Sequence, residues 1–172
     1  AWDPAYCIGA ERLTNGEIIS LEDVTPQIEV VYTPGHTSDS VCFFIWSGVP
    51  HESTLEGIVT GDTIAGRHTT MISETDGDLG LYLKTLALLE ERGSGVKLLP
   101  GHGPDGFDVA SFAHWYIERR QQRLTQLKAA QAKLGPDASL KELIDEIYDD
   151  VDPVLRGAAE QSTRVALRYL AE

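Results

Sequence analysis

Between residues 28 and 61 the chain passes repeatedly through one local design, an apolar stretch of strand length followed by a turn of glycine and small polar residues. The stretches are IEVVYT at 28–33, VCFFIW at 41–46 and GIVTG at 57–61, and EIISL at 17–21 precedes them after Asn15-Gly16. β-Branched and aromatic side chains suit a pleated, half-buried surface, so this half of the chain is expected to form a sheet. The period then changes. In DLGLYLKTLALLEERG, Leu79, Tyr82, Leu83, Leu86 and Leu89 recur at helical spacing, and Gly93 stands where a helix would end. VKLLP, stopped by Pro100, returns to strand. Strand, helix and strand in that order predict an α/β layered core in which helices cover a sheet.

Beyond Asp108 the pattern is helical throughout. The spacing predicts a long helix over 109–133 stopped by Gly135 and Pro136, then a short one opened by a capping box of Ser139 and Glu142. Pro153 is placed to open a last helix that runs to the end of the sequence. The chain therefore divides into an α/β part, 1–106, and a helical appendage, 107–172. No internal repeat or low-complexity segment is present.

A formal net charge of -13 over 172 residues repels polyanions at long range and counts against a general nucleic-acid binder. No run of roughly eighteen apolar residues marks a membrane span, and no leader pattern is visible. Two cysteines are too few for a disulfide framework, and the expectation is reduced thiols in a cytosolic (cytoplasmic) protein. Cys42, within an apolar strand, reads as a buried structural thiol, whereas nothing assigns a role to Cys7.

Three strand ends carry the chemistry. His36 lies in TPGHT, Asp62 in TGDTI and His102 in PGHGP, each after an apolar strand, so in a layered core the three loops would converge on one sheet edge. Gly35, Gly101 and Gly103 permit backbone angles and close approaches barred to other residues. Two imidazoles and a carboxylate suit a borderline divalent ion such as zinc, and the two oxygens of a carboxylate can bridge a pair of ions. The alternative is that each residue only finishes its strand, with Asp62 capping a turn.

TPGHTSDS, TGDTI and LLPGHGP, in this order and separation, resemble the third, fourth and fifth motifs of the metallo-β-lactamase fold superfamily. The resemblance is closest to the branch of glyoxalase II-like hydrolases and β-lactamase-like endoribonucleases with a C-terminal winged-helix-like extension. It implies that 17–106 form the second half of an αββα sandwich and that 107–172 begin the extension. It further implies that His36 binds one metal ion, Asp62 bridges two and His102 binds the second. The implied activity is zinc-dependent hydrolysis by a metal-activated water, with Asp62 as the catalytic carboxylate. Small esters, thioesters, β-lactams and RNA phosphodiesters are all cleaved with such ligands, so the resemblance does not choose the substrate.

One part of the family pattern is missing. The His-x-His-x-Asp-His cluster expected upstream does not occur, and the remaining histidines, His51, His68 and His114, have no Asp-His neighbour. The sequence therefore reads as part of a larger hydrolase, inactive and weak in zinc binding on its own, with a non-catalytic half-core interaction module as the alternative. In either case an apolar sheet face is expected to be open, to be covered by further sequence, another chain or a second copy in a homo-oligomer.

Lesser candidates have plainer readings. His68 and Arg67 fit ordinary loop polarity, and Thr69 and Thr70 either face the site or cap the next segment. Glu74, Asp76 and Asp78 fit the N-terminus of the following helix. Phe112, Trp115, Tyr116 and Ile117 form a packing face, with His114 turned to solvent or to a carbonyl. Arg119, Arg120, Arg123, Lys128 and Lys133 would suit RNA phosphates if the substrate is RNA, or form a solvated face.

Overall fold

The computed structural model describes residues 11–148 and 156–171; Cys7 and the helix start expected at Pro153 lie outside them. Six strands pair in sequence order into one sheet: β1 (Ile18–Ile19), β2 (Gln27–Tyr32), β3 (Val41–Trp46), β4 (Leu55–Gly61), β5 (Lys97–Pro100) and β6 (Gly106–Phe107). The helices are α1 (Leu79–Arg92), α2 (Val109–Leu134), α3 (Leu140–Ile147) and α4 (Arg156–Ala171). Neighbouring strands are antiparallel except β4 and β5, which are parallel and joined through α1. The expected α/β layering is thus present. The first strand is shorter than EIISL suggests, and β6, only two residues long, is below the length at which periodicity can announce a strand.

Register explains the core. Glu29, Phe44, Ile58 and Leu98 stand opposite one another across β2 to β5, and side chains of one row share one face of a sheet. That face, with Cys42 and Trp46, packs on Tyr82, Leu86 and Leu89 of α1 and on Val109, Ala113 and Tyr116 of α2. Leu127 and Ala130 of α2, Leu143 of α3 and Val165 and Ala166 of α4 continue the same cluster, so the helical region and the sheet share one apolar core. Local signals fix the helix ends: the Asp78 side chain accepts from Leu81 N–H, Gly93 closes α1, and Ser139 and Glu142 form the expected capping box. Burial pushes the Cys42 thiol up to about 11 while the Thr33 hydroxyl donates to its sulfur, as suits an inert structural cysteine.

The alternate residues of the same strands form the other face. Val30, Phe43, Val59 and Leu99 make a second cross-strand row beside the pair Ile28 and Ile45. Phe43, Ile45, Val59 and Leu99 are only half-buried. No helix among the described residues is long and apolar enough to cross a membrane.

One charge sits in the covered row. Glu29 is 6% exposed, and its carboxylate accepts from Arg92 Nη2 at 2.8 Å and from the Trp46 indole N–H at 3.1 Å. The Arg92 guanidinium also lies 4.3 Å from the Phe44 ring centroid, tying α1 to the sheet by charge and stacking together. Arg92→Met should destabilise the protein by about 2–3 kcal/mol in urea titration, below the usual cost of orphaning a fully buried charge because Arg92 is partly solvated. The pair Arg92→Met with Glu29→Met should recover most of that loss.

Candidate metal centre

Strand direction brings the three motif loops together. β2 and β4 are each antiparallel to β3, and β5 is parallel to β4, so β2, β4 and β5 all run the same way. Their C-terminal ends therefore lie on one edge, where the loops carrying His36, Asp62 and His102 begin. Asp62 stands between the imidazoles: His36 Nε2 is 3.8 Å from Oδ2, and His102 Nε2 is 3.4 Å from Oδ1.

The two loop glycines allow this approach. Gly35 has φ +140°, and a β-carbon there would lie 2.3 Å from the Tyr82 Cα, so only glycine lets this turn rest on the α1 backbone. The turn is then bound to α1 by Asp78 N–H donating to the Gly35 carbonyl and by the Thr85 hydroxyl donating to the Pro34 carbonyl. On the other side Gly101 N–H donates to the Gly61 carbonyl at 2.8 Å, and a β-carbon on Gly101 would stand 3.2 Å from Asp62 Oδ1.

His36 is oriented by a group that the sequence does not advertise. Its Nδ1 lies 2.6 Å from the Met71 carbonyl, which fixes Nδ1–H as donor and turns Nε2 toward Asp62. That is the tautomer a metal ligand needs. Met71 belongs to the irregular segment 62–78, which forms one wall of a cavity of about 340 Å³ whose lining includes His36, Asp62, His102, Arg67 and His68.

Distant helices hold that segment in place. The Tyr116 hydroxyl accepts from Ala65 N–H and donates to the Ala65 or His68 carbonyl, while Arg120 donates to the Thr70 carbonyl. From α4, Gln161 donates to the Ile72 carbonyl, and Arg168 donates to the carbonyls of Glu74 at 3.0 Å and Gly77 at 2.7 Å. Four of the five cations expected on the long helix have internal partners: Arg119 on the Trp115 ring, Arg120 on Thr70, Arg123 on Tyr148 and Ile147, and Lys133 on Glu146. Tyr116 is buried as a packing residue while Trp115 remains 40% exposed. His114 is exposed to solvent, as expected, and its Nδ1 also meets the Glu90 carboxylate at 2.8 Å.

The acidic run ahead of α1 is accounted for locally. Asp78 caps the helix, Glu74 approaches Arg164, and Asp76 accepts from Ser38 N–H, with the contacts from Ser38 holding its carboxyl below the ordinary range.

Among the described residues, no three His, Cys, Asp or Glu side chains close around a single point. The geometry explains this: the imidazoles face different oxygens of Asp62 instead of a common centre. Two imidazoles and a carboxylate are nonetheless donor types that a borderline divalent ion accepts.

Gly35→Ala should cost about 3 kcal/mol or more, from backbone strain plus overpacking on Tyr82, measured as a fall in the urea midpoint. Tyr116→Phe should cost about 1–2 kcal/mol and speed amide exchange selectively over 65–70, because the loop loses its shared hydroxyl.

No protein-family model matches the chain. It is 30% identical over 120 residues to the atrochrysone carboxyl ACP thioesterase of Aspergillus fumigatus, covering 70% of this chain and 34% of that one. It is 27% identical over 172 residues to a lactamase-like protein of Pestalotiopsis fici, covering 95% of this chain and 50% of that one. Among solved structures, a metallo-β-lactamase family protein from Thermus thermophilus matches with a TM-score of 0.71 and 22% identity, over 95% of this chain and 49% of that one. A β-lactamase domain protein from Burkholderia ambifaria matches with a TM-score of 0.75 and 20% identity, over 94% and 47%. The chain thus spans between about a third and about half of the length of the curated relatives it matches. Strand order, the motif loops at one sheet edge and these likenesses lead to one conclusion: the chain has the fold of about half of a metallo-β-lactamase superfamily protein.

Proposed function

We propose that His36, Asp62 and His102 are this chain's contribution to a two-zinc hydrolytic centre, and that the reaction is hydrolysis of an acyl thioester. The observation that carries the metal assignment is Asp62 standing between two imidazoles that face its separate oxygens. The thioester is supported by the likeness to a protein named as an acyl-carrier thioesterase. RNA is the weaker substrate reading, because a formal net charge of -13 repels a polyanion and Arg120 and Lys133 on α2 are already bound to Thr70 and Glu146.

The residues present have definite tasks in such a reaction. His36 is held by Met71 with its Nε2 available, Asp62 keeps both oxygens at the sheet edge, and His102, 80% exposed in its side chain, faces the opening of the site. The cavity walled by 65–71 gives room for the scissile carbonyl beside them. Zinc, when bound, supplies Lewis acidity toward the carbonyl oxygen and makes water a better nucleophile at neutral pH. The water oxygen bonds to the carbonyl carbon, the carbon–sulfur bond breaks, and the acid and a thiol carrying the transferred proton depart. Zinc sites usually have three or four protein ligands, so a complete centre needs donors beyond these three and the chain alone is expected to bind zinc weakly.

A second reading rests on the half-buried row of Phe43, Ile45, Val59 and Leu99: a non-catalytic half-core whose open face is covered by another layer. Zinc titration separates the two. On the hydrolase reading, zinc at about 100 times its dissociation constant should stabilise the protein by ~2.7 kcal/mol in thermal unfolding, and the shift should vanish in Asp62→Asn and His102→Ala. Thioester cleavage, measured with the remaining zinc donors in place, should rise with zinc and fall in the same variants. Equal thermal shifts in wild type and Asp62→Asn, or none in either, would overturn the metal assignment.

A further inference from the structure

A second cavity opens beside the candidate centre. It is a cleft of about 580 Å³ between α2 and α4, and it shares His68, Thr69, Thr70 and Met71 with the cavity around Asp62. One wall, four residues of a single loop, thus faces the metal-ligand edge on one side and this cleft on the other. The volume is in the range of small-molecule sites, and Ile72, Leu79, Leu124, Val165 and Ala166 give the cleft an apolar lining.

Its charge is opposite to that of the molecule. The chain has 27 acidic and 14 basic residues, yet the cleft is lined by Arg119, Arg120 and Arg123 and by no Asp or Glu among the described residues. Arg119 and Arg123 are one helical turn apart on α2; Arg119 stacks on Trp115, and Arg123 stacks on Tyr148 and donates through Nη1 to Gln126 and the Ile147 carbonyl, which leaves further guanidinium N–H groups of both for a ligand. Arg120, between them in sequence, donates to the Thr70 carbonyl on the shared wall, and its buried Nε has no acceptor. Guanidinium groups at the rim of an apolar cleft are suited to a carboxylate or phosphate carried on an apolar body.

We propose that the cleft between α2 and α4 is the acyl-binding site, and that the acyl group it takes is bulky, mainly apolar and bears a carboxylate remote from the scissile carbonyl. This deepens the thioesterase reading and rests on it for the position of the carbonyl. The acyl body lies along Ile72, Leu124 and Val165, the thioester reaches the Asp62 edge past Thr70 and Met71, and the remote carboxylate meets Arg119 and Arg123. The chief rival anion is the phosphate of the thiol-bearing carrier arm, which would make the cleft a leaving-group site.

Binding to the metal-free protein in the presence of a chelator, where no turnover occurs, tests the assignment. The probes are N-acetylcysteamine thioesters of acetic acid, decanoic acid and decanedioic acid, the last with a free far-end carboxylate, together with 4′-phosphopantetheine, all titrated by calorimetry. The decanedioyl thioester is expected to bind at least about 10-fold more tightly than the decanoyl, and the decanoyl more tightly than the acetyl. Arg119→Gln, at an exposed position, should remove the carboxylate preference without altering the melting temperature, and Ser162→Phe should weaken both long-chain probes by filling the cleft. Equal affinity for all three thioesters, or a carboxylate preference that survives both Arg119→Gln and Arg123→Gln, overturns the proposal. Tighter binding of 4′-phosphopantetheine with loss in Arg119→Gln also overturns it, in favour of the carrier arm. Protein in which the zinc centre is complete, with the donors beyond His36, Asp62 and His102 in place, then separates the two readings. Probes bound with the expected preference but not cleaved leave the cleft standing and remove the thioesterase, whereas cleavage with no acyl preference does the reverse.

Discussion

Tyr82 is the point on which the site edge depends. Its backbone receives the Gly35 turn at a distance that no β-carbon would tolerate, its hydroxyl donates to the Thr63 carbonyl at 2.6 Å, and its ring lies under the Arg120 guanidinium. The loop after β2, the loop after β4 and the helix α2 are thereby referred to one fully buried side chain. Burial raises the phenol well above its ordinary range, which favours the neutral hydroxyl that donates to Thr63. The positions of His36 and Asp62 follow from this packing, since their loops have no regular structure of their own.

Much of this was legible in the sequence because it depends on local chemistry. Apolar runs of strand length, the period change at Leu79, the cap at Asp78 and the capping box at Ser139 each act within a few residues, and apart from the shortened first strand each appears where its pattern predicts. The convergence of His36, Asp62 and His102 also follows from a simple rule, since their strands run the same way and loops after parallel strands meet at one edge.

What was not legible depends on partners far apart in sequence. Any residue can offer a backbone carbonyl, so nothing in the letters marks Met71 as the group that orients His36, or Thr70 as the acceptor for Arg120. The same limit applies to the cations of α2. Their spacing suggests a phosphate-binding or solvated stripe, whereas the tertiary structure gives Arg123 to Tyr148 and Lys133 to Glu146. The helical character beyond Asp108 is plain in the sequence, but its period does not reveal that α2, α3 and α4 join the apolar cluster of the sheet.

The contacts of α4 with the segment 72–77 have a consequence for the order of events during synthesis. The ligand-bearing loops are all made by residue 102, yet the wall beside them is fastened by Gln161 and Arg168, much later in the chain. A growing chain can pair its sheet and seat α1 early, since those contacts are sequential. It cannot fasten 72–77, the continuation of that wall, until α4 has emerged and docked. The ribosome thus delivers the ligands well before the enclosure that surrounds them, and the open segment must pass through that interval with its carbonyls answered by water.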